Sequence, residues 1–449
     1  MNRIVTSLFA LLCLGVSMHT HATTYAYRAS LLDFVADPHN EKQAARYLED
    51  GVLIVEDGKV VETLDYAALS AERRQQLTLV DYRGKLLLPG FIDTHIHFPQ
   101  TEMIASYGEQ LLEWLNTYTF PTERKFADAD YARKRADFFI NELLRNGTTT
   151  ALVFATVHPQ SVDALFAAAQ QKEMRLIAGK VLMDRNAPDY LQDTAQTGYD
   201  QSEALIKKWH HKGRLLYAVT PRFAPTSTPE QLALAGKLLA KYPDLYLHTH
   251  LSENKNEIVW VKSLFPERKN YLDVYAHYGL TGPRSVFAHG IHLEQDEIDT
   301  LAHSHSALAF CPTSNLFLGS GLFRLHPLKQ AGIKVGMGTD VGAGTSFSML
   351  QTLNEGYKVQ QLQGEKLSAQ EGLYQATLGG ARALQLEDKL GNFLPGKEAD
   401  FVVLNWAATP LQQLRMENAT SLDDRLFALM MQGDDRNVQA TYVMGKQVF

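Results

Sequence analysis

Phe91-Ile92-Asp93-Thr94-His95-Ile96-His97, entered through the breaker pair Pro89-Gly90, is the stretch on which the fold turns. It starts apolar and short, as a buried strand does. Side chains alternate between the faces of a strand, so His95 and His97 leave it in the same direction. Seven further segments of this kind lie at 148–155, 175–183, 215–220, 245–251, 285–289, 307–312 and 334–340, with helix-patterned stretches between them. Eight strand–helix units within residues 91–390 predict an α/β fold, a (β/α)8 TIM-type barrel, whose chemistry gathers at the C-terminal ends of its strands. A doubly wound sheet is the alternative. It calls for a dinucleotide fingerprint or a phosphate loop, and the nearest run, Gly336-Met337-Gly338-Thr339-Asp340-Val341, lacks the third glycine.

Outside the barrel the texture changes. Residues 23–90 carry short β-patterned runs, with Asp57-Gly58 marking a tight hairpin, and residues 391–449 return to that style at 396–404 and 441–446. The economical reading joins both ends into one small β-sandwich domain. The first 22 residues stand apart. Arg3 precedes an uncharged apolar run over 4–18, and the small residue Ala22 sits at a plausible cleavage point, which is the layout of a secretory signal peptide. The run is shorter than the roughly 20 residues of a spanning helix. The chain is therefore expected to be exported, periplasmic or secreted, with no stable membrane span after cleavage; an N-terminally anchored or cytoplasmic protein is the alternative. Leu12 before Cys13 argues against lipidation.

Composition narrows the chemistry. The chain has 449 residues, 45% hydrophobic and 21% charged, a balance that builds packed cores and excludes disorder. A formal charge of −7 without any Lys/Arg-rich block leaves no basic surface for a polyanion, so nucleic acid is not an expected partner. Cys13 and Cys311 are the only cysteines, too few for a disulfide framework or a thiolate zinc site. Any metal must rest on histidine and carboxylate.

His-x-His occurs four times, at 19/21, 95/97, 248/250 and 303/305, and context separates the pairs. The first falls in the signal segment, and the last lies in a polar stretch without a nearby carboxylate. His95 and His97 close the first barrel strand. His248-Thr249-His250-Leu251-Ser252-Glu253 closes the fifth: His250 is at the tip, Glu253 reaches beyond it toward a substrate, and His248 points one layer deeper as a hydrogen-bonded interior histidine. The sixth strand ends in His289-Gly290, and the eighth in Gly338-Thr339-Asp340 ahead of a glycine-rich turn. Three neutral imidazoles and one carboxylate make a zinc site with room for water. Zinc lowers the pKa of its water to about 7; Asp340 is placed to take that proton, and Glu253 to pass one to the leaving atom.

With these residues in place the chain resembles the amidohydrolase superfamily, through Pro89-Gly90-Phe91 leading into His95 and His97, the strand ends at His250 and His289, and Gly338-Thr339-Asp340. Within it the chain is similar to the guanine deaminases. That narrower likeness rests on Phe98-Pro99-Gln100, LLEWLNTYTFP at 111–121, KVLMDRN at 180–186, Thr220-Pro221-Arg222-Phe223, HLSE at 250–253, CPTSN at 311–315 and GTDVGAG at 338–344. The resemblance implies zinc at His95, His97, His250 and Asp340, with a guanine pocket built from Gln100, Arg222, Phe223, Glu253 and His289, and with His250 and Asp340 also facing the substrate. The implied reaction is hydrolytic deamination at C2 of guanine to xanthine and ammonia. Glu253 and Asp340 move protons, and His289 holds the attacking hydroxide or the tetrahedral intermediate. Arg222 suits the acceptor edge of a flat purine, Gln100 its mixed edge and Phe223 its ring face. A packing role fits Phe223 as well, and Trp114 reads equally as pocket wall or core.

The resemblance further implies one zinc per subunit. Two-metal members of the superfamily carry a modified lysine at the end of the fourth strand, where this chain has Val219-Thr220-Pro221-Arg222; Lys180, one strand earlier, is read as structural. A homodimer is expected by resemblance only, and the signal segment departs from a family that is generally cytosolic. Two alternatives stay open. A relative could act on another amino-purine, a pterin or a triazine, or a barrel could have kept the fold and lost the chemistry. The presence of all four metal positions and Glu253 argues against the second. Deaminases built on a His/Cys zinc site with a Pro-Cys-x-x-Cys run are excluded, because cleavage leaves Cys311 alone.

Overall fold

The computed structural model describes residues 23–108 and 110–449; the predicted signal segment, 1–22, lies outside the described residues. These form two sheets. The first draws on both ends of the chain: β1 (Tyr25–Phe34), β2 (Ala45–Glu56), β3 (Lys59–Asp65) and β4 (Thr78–Pro89) precede the barrel. Its strands are β5 (Phe91–His97), β6 (Thr148–Phe154), β7 (Arg175–Gly179), β8 (Val181–Leu182), β9 (Leu215–Pro221), β10 (Tyr246–Leu251), β11 (Ser285–His289), β12 (Ala307–Phe310) and β13 (Lys334–Met337). After it, β14 (Phe401–Asn405), β15 (Val438–Val443) and β16 (Lys446–Gln447) return to the first sheet.

That terminal sheet is mixed and seven-stranded, in the order β16-β15-β14-β4-β1-β2-β3. The hairpin between β2 and β3 turns at Asp57 and Gly58, with φ of 50° and 73°, the positive pair a two-residue type I′ turn demands. Aromatic rings join the two ends of the chain: Phe401 stacks on Tyr442 at 4.4 Å, and Tyr27 meets Phe401 edge-on at 4.8 Å. Such pairs add about 0.5–1.5 kcal/mol each beyond the area they bury. β4 runs straight into β5 through Gly90. A Cβ there would sit 2.1 Å from Thr149 Oγ1, so only glycine lets the two sheets meet.

The barrel strands follow sequence order, β5-β6-β7-β9-β10-β11-β12-β13, with β8 pairing beside β9. All eight predicted segments are strands. The third is broken after Gly179, whose Cβ would lie 1.7 Å from the Ala218 carbonyl oxygen, and resumes as β8. Closure joins β5 to β13 and the turn after it. Thr94 Oγ1 donates to the Met337 carbonyl at 2.9 Å, and the amides of Asp340 and His97 donate to His95 O and Val341 O, each at 2.9 Å. Gly336 makes this approach possible, since a Cβ would be 2.3 Å from Thr94 Cγ2.

Strand residues including Ile92, Leu152, Ile177 and Tyr246 pack with Leu384 and Leu390 into one apolar cluster. Outside, helices cover the strands. Ala129–Arg145 is capped by Asp128, whose carboxylate accepts from the amides of Asp130 and Tyr131, and it buries Ala132, Ala136, Phe139, Ile140, Leu143 and Leu144, a stripe at helical spacing. Truncating Leu143 to alanine would cost about 2–5 kcal/mol. No helix among the described residues is long and apolar enough to cross a membrane.

Candidate active site

The strand ends bring the predicted ligands to one point. His97 Nε2 lies 3.2 Å from His95 Nε2 and 3.3 Å from His250 Nε2. Asp340 Oδ1 is 3.1 Å from His95 Nε2 and 3.2 Å from His97 Nε2. A tetrahedral ion with bonds of about 2.0–2.1 Å spaces its ligands by roughly 3.3–3.4 Å, so these residues fit a metal. Burial pushes His97 down to about 4 and His250 well below the usual imidazole value, which keeps both neutral, as ligands must be. Burial alone would raise Asp340; the imidazoles of His95, His97 and His289 overcome it and hold the carboxylate ionised.

Surrounding groups fix the direction of each ring. His250 Nδ1 donates to the Arg222 carbonyl at 2.7 Å, which leaves the Nε2 lone pair for the shared point. His95 Nδ1 meets His248 Nε2 at 2.7 Å, so His248 is the deeper supporting histidine. Such outer partners orient a ligand and set its basicity. Asp93, buried beneath, accepts from the amides of His95 and Thr339 and from the Thr339 hydroxyl. Burial lifts its carboxyl to about 7.

Above the ligands lies a cavity lined by charged, amide and aromatic side chains, the mixed lining of a small-molecule site. His97, Gln100, Trp114, Arg222, Phe223, His250, Glu253, His289 and Asp340 all line it, so every residue predicted to touch a substrate is there, and Trp114 is wall rather than distant core. The Trp114 indole Nε1 is buried without a hydrogen-bond partner. Phe223 lies edge-on to Trp260 at 6.0 Å. Glu253 Oε2 is 3.3 Å from His289 Nε2, and burial, with Asp340 and Glu257 adding to it, pushes the Glu253 carboxyl well up. His289 Nδ1 accepts from Asn315 Nδ2 at 2.9 Å, which turns Nε2–H toward Glu253.

Three supports escaped the sequence. Glu123, fully buried at the end of the helix Phe120–Glu123, accepts from Arg222 Nη1 at 2.9 and 3.0 Å. It answers the cost of burying the Arg222 charge, while Gln100 is held between Glu123 and the Gly342 amide. Glu257 accepts from the amides of Glu253 and Asn254 at 2.9 and 3.0 Å and from the Tyr271 hydroxyl at 2.7 Å, so it fixes the loop that carries Glu253. Asn315 is the third. The one signal in the sequence was Asn254-x-x-Glu257, a helix-capping spacing. Lys180 is structural: its ammonium is buried on Asp193 and the Val181 carbonyl.

Three residues of the site have left-handed backbone. Ser252, His289 and Asp340 have φ of 48°, 75° and 50°, a region costing non-glycine residues about 1–3 kcal/mol and found where a side chain must be aimed.

The amidohydrolase family profile matches residues 86–448. Guanine deaminase of Escherichia coli (strain K12) is 60% identical over 430 residues, 95% of this chain and 98% of that protein. The solved E. coli guanine deaminase superposes with a TM-score of 0.93, covering 95% of this chain and 99% of that one. Guanine deaminase from C. acetobutylicum, solved with guanine in its active site, is 32% identical with a TM-score of 0.87 and covers 95% of this chain and all of that one, 100%. The chain belongs to the amidohydrolase family, within its guanine deaminase branch.

Proposed function

We propose that the chain is a guanine deaminase, converting guanine and water to xanthine and ammonia, with one zinc ion in the barrel mouth held by His95, His97, His250 and Asp340. The observation that carries this reading is the cavity in which His97, His250 and Asp340, with His95 in contact with them, face Glu253, whose carboxyl burial pushes well up, on one side and a carboxylate-anchored Arg222 on the other. Zinc, when bound, supplies the Lewis acid that makes water a nucleophile near neutrality.

The chain's own residues do the rest. Arg222 keeps Nε and Nη2 free of protein partners among the described residues, so it can donate to the acceptor edge of the purine. Gln100 reads the mixed edge, and Phe223 with Trp114 walls the ring. Asp340 accepts a proton from the attacking water, while Glu253 delivers its own to a ring nitrogen as C2 becomes tetrahedral. His289 donates from Nε2 to the developing oxygen. Glu253 and Asp340 then protonate the amino group, and ammonia leaves. Barrel residues 91–390 carry this chemistry, and 23–90 with 391–449 form the supporting β domain. Homodimer formation and export after loss of residues 1–22 complete the proposal, on the strength of the resemblance and of the N-terminal pattern.

The test is ammonia release by the purified chain from guanine, adenine, cytosine and a pterin, with bound metal measured in parallel. Turnover of guanine above the others is expected. Metal bound without guanine turnover, or preference for another substrate, would overturn the reading. Glu253→Gln should keep the metal yet slow turnover by about 10²-fold or more, because the proton carrier is gone.

A further inference from the structure

Away from the barrel mouth, three side chains from separate segments converge: His39 in the loop after β1, His326 in the helix Leu325–Gln330, and Glu371 in the helix Ala369–Tyr374. The two imidazoles stack with centroids 4.3 Å apart and planes 16° from parallel. Each turns a nitrogen to the same carboxylate, Glu371. His326 Nε2 lies between the two Glu371 oxygens, 3.1 Å from Oε1 and 3.2 Å from Oε2, and His39 Nδ1 is 3.6 Å from Oε2, so the distances at Oε2 are close to the roughly 3.3–3.4 Å between ligands of a tetrahedral ion with bonds near 2.0–2.1 Å. The other oxygen, Oε1, is occupied by Lys329 Nζ at 2.7 Å, so the lysine leaves Oε2 open.

The surroundings match what a metal-binding histidine needs. His326 Nδ1 faces Glu365 Oε2 at 3.0 Å, and donation there leaves the Nε2 lone pair directed at Glu371 and His39, the carboxylate–histidine arrangement that orients metal ligands. Charge agrees. Asp37, Glu365 and Glu371 stand close to Lys329, which also meets Asp37 at 2.9 Å, a carboxylate-rich setting that favours a cation. A second cluster, His210, His211 and Asp244, fails the same examination. His210 Nδ1 accepts the Tyr217 amide at 3.0 Å, so its Nε2, the nitrogen facing Asp244, carries the proton and has no lone pair to offer.

We propose that His39 Nδ1, His326 Nε2 and Glu371 Oε2 form a second metal site for a divalent transition ion of the zinc type, separate from the barrel mouth and tying the loop after β1 to the helices beside it. Imidazole and carboxylate donors suit such an ion. His39 is about one-third exposed, so the ion can enter from solvent, while His326 and Glu371 are buried.

Equilibrium dialysis of the metal-stripped full chain against zinc tests this. The wild-type chain should take up two equivalents and His39→Ala one, with guanine turnover unchanged, since His39 lies outside the reacting cavity. Glu365→Gln should weaken the second equivalent about 10- to 100-fold through loss of ring orientation. Zinc should raise the melting temperature of the wild-type chain more than that of His39→Ala. Uptake of only one equivalent by the wild type, or a second equivalent that survives both His39→Ala and His326→Gln, would overturn the site. Failure of the catalytic proposal would show instead in turnover and in the equivalent lost with His95→Ala, so the two results are distinguishable.

Discussion

Glu123→Gln isolates the least expected contact of the active site. Glutamine keeps the size of the side chain and removes its charge. In the wild type both carboxylate oxygens take their bonds from Arg222 Nη1, at 2.9 and 3.0 Å, with the side chains 3% and 0% exposed. Removing one partner of a buried ion pair typically costs about 3–5 kcal/mol, because the remaining charge is stranded. Part of that falls on folding and is read as a lowered melting temperature. Part falls on catalysis, because a guanidinium no longer clamped through Nη1 does not present Nε and Nη2 at one fixed angle. Loss of one charge-assisted bond, about 1.5–3 kcal/mol, corresponds to roughly a 10- to 150-fold fall in kcat/KM. Glu123→Gln/Arg222→Gln should be more stable than Glu123→Gln alone, since the stranded charge is gone, while staying inactive toward guanine. The reasoning fails if Glu123→Gln melts as the wild type does and keeps its kcat/KM.

His95→Ala should retain its circular dichroism and lose metal from the barrel, measured by elemental analysis, because one donor and the link to His248 vanish together. Lys180→Met should lower the melting temperature, by stranding Asp193, yet leave metal content unchanged; a loss of metal would return that lysine to the metal chemistry. Gly90→Ala should fold poorly or not at all, judged by soluble yield, since its Cβ would overlap the Thr149 side chain. Intact-mass analysis of exported protein should show a chain beginning after Ala22, and a cytosolic chain retaining Met1 would refute export.

The barrel was legible because each strand is an apolar run bounded by breakers, and because its candidate site residues fall at strand ends. His95, His97, His250, His289 and Asp340 could be found from local pattern alone. Their supports could not. Glu123 meets Arg222 across 99 positions of sequence, and nothing near either residue announces the pair. Asn315 lies on the helix after β12, and its relation to His289 exists only once β11 and β12 are side by side. Strand limits were read too generously where the backbone leaves the ladder: the run at 175–183 breaks because Gly179 must admit the Ala218 carbonyl, a contact between strands that a single segment does not encode.

The seam of the barrel and the proposed metal ligands are one structure. Asp340 reaches His95 and His97 because its amide bonds the His95 carbonyl, the His97 amide bonds Val341 O, and Asp93 grips Thr339 from below. Gly338 permits the approach, since a Cβ there would be 2.8 Å from Cys311 Sγ and 3.0 Å from His95 Cβ. A sheet that closes at this seam assembles the ligands, and an ion that holds the ligands keeps the seam closed. Metal binding is then worth folding free energy, about 2.7 kcal/mol when free ion stands at a hundredfold excess over its dissociation constant. The left-handed φ of His289 and Asp340 works against that gain. Strain at those positions is tolerable because β5, β11 and the turn after β13 over-determine them, and it aims an imidazole and a carboxylate into the same cavity from different strand ends.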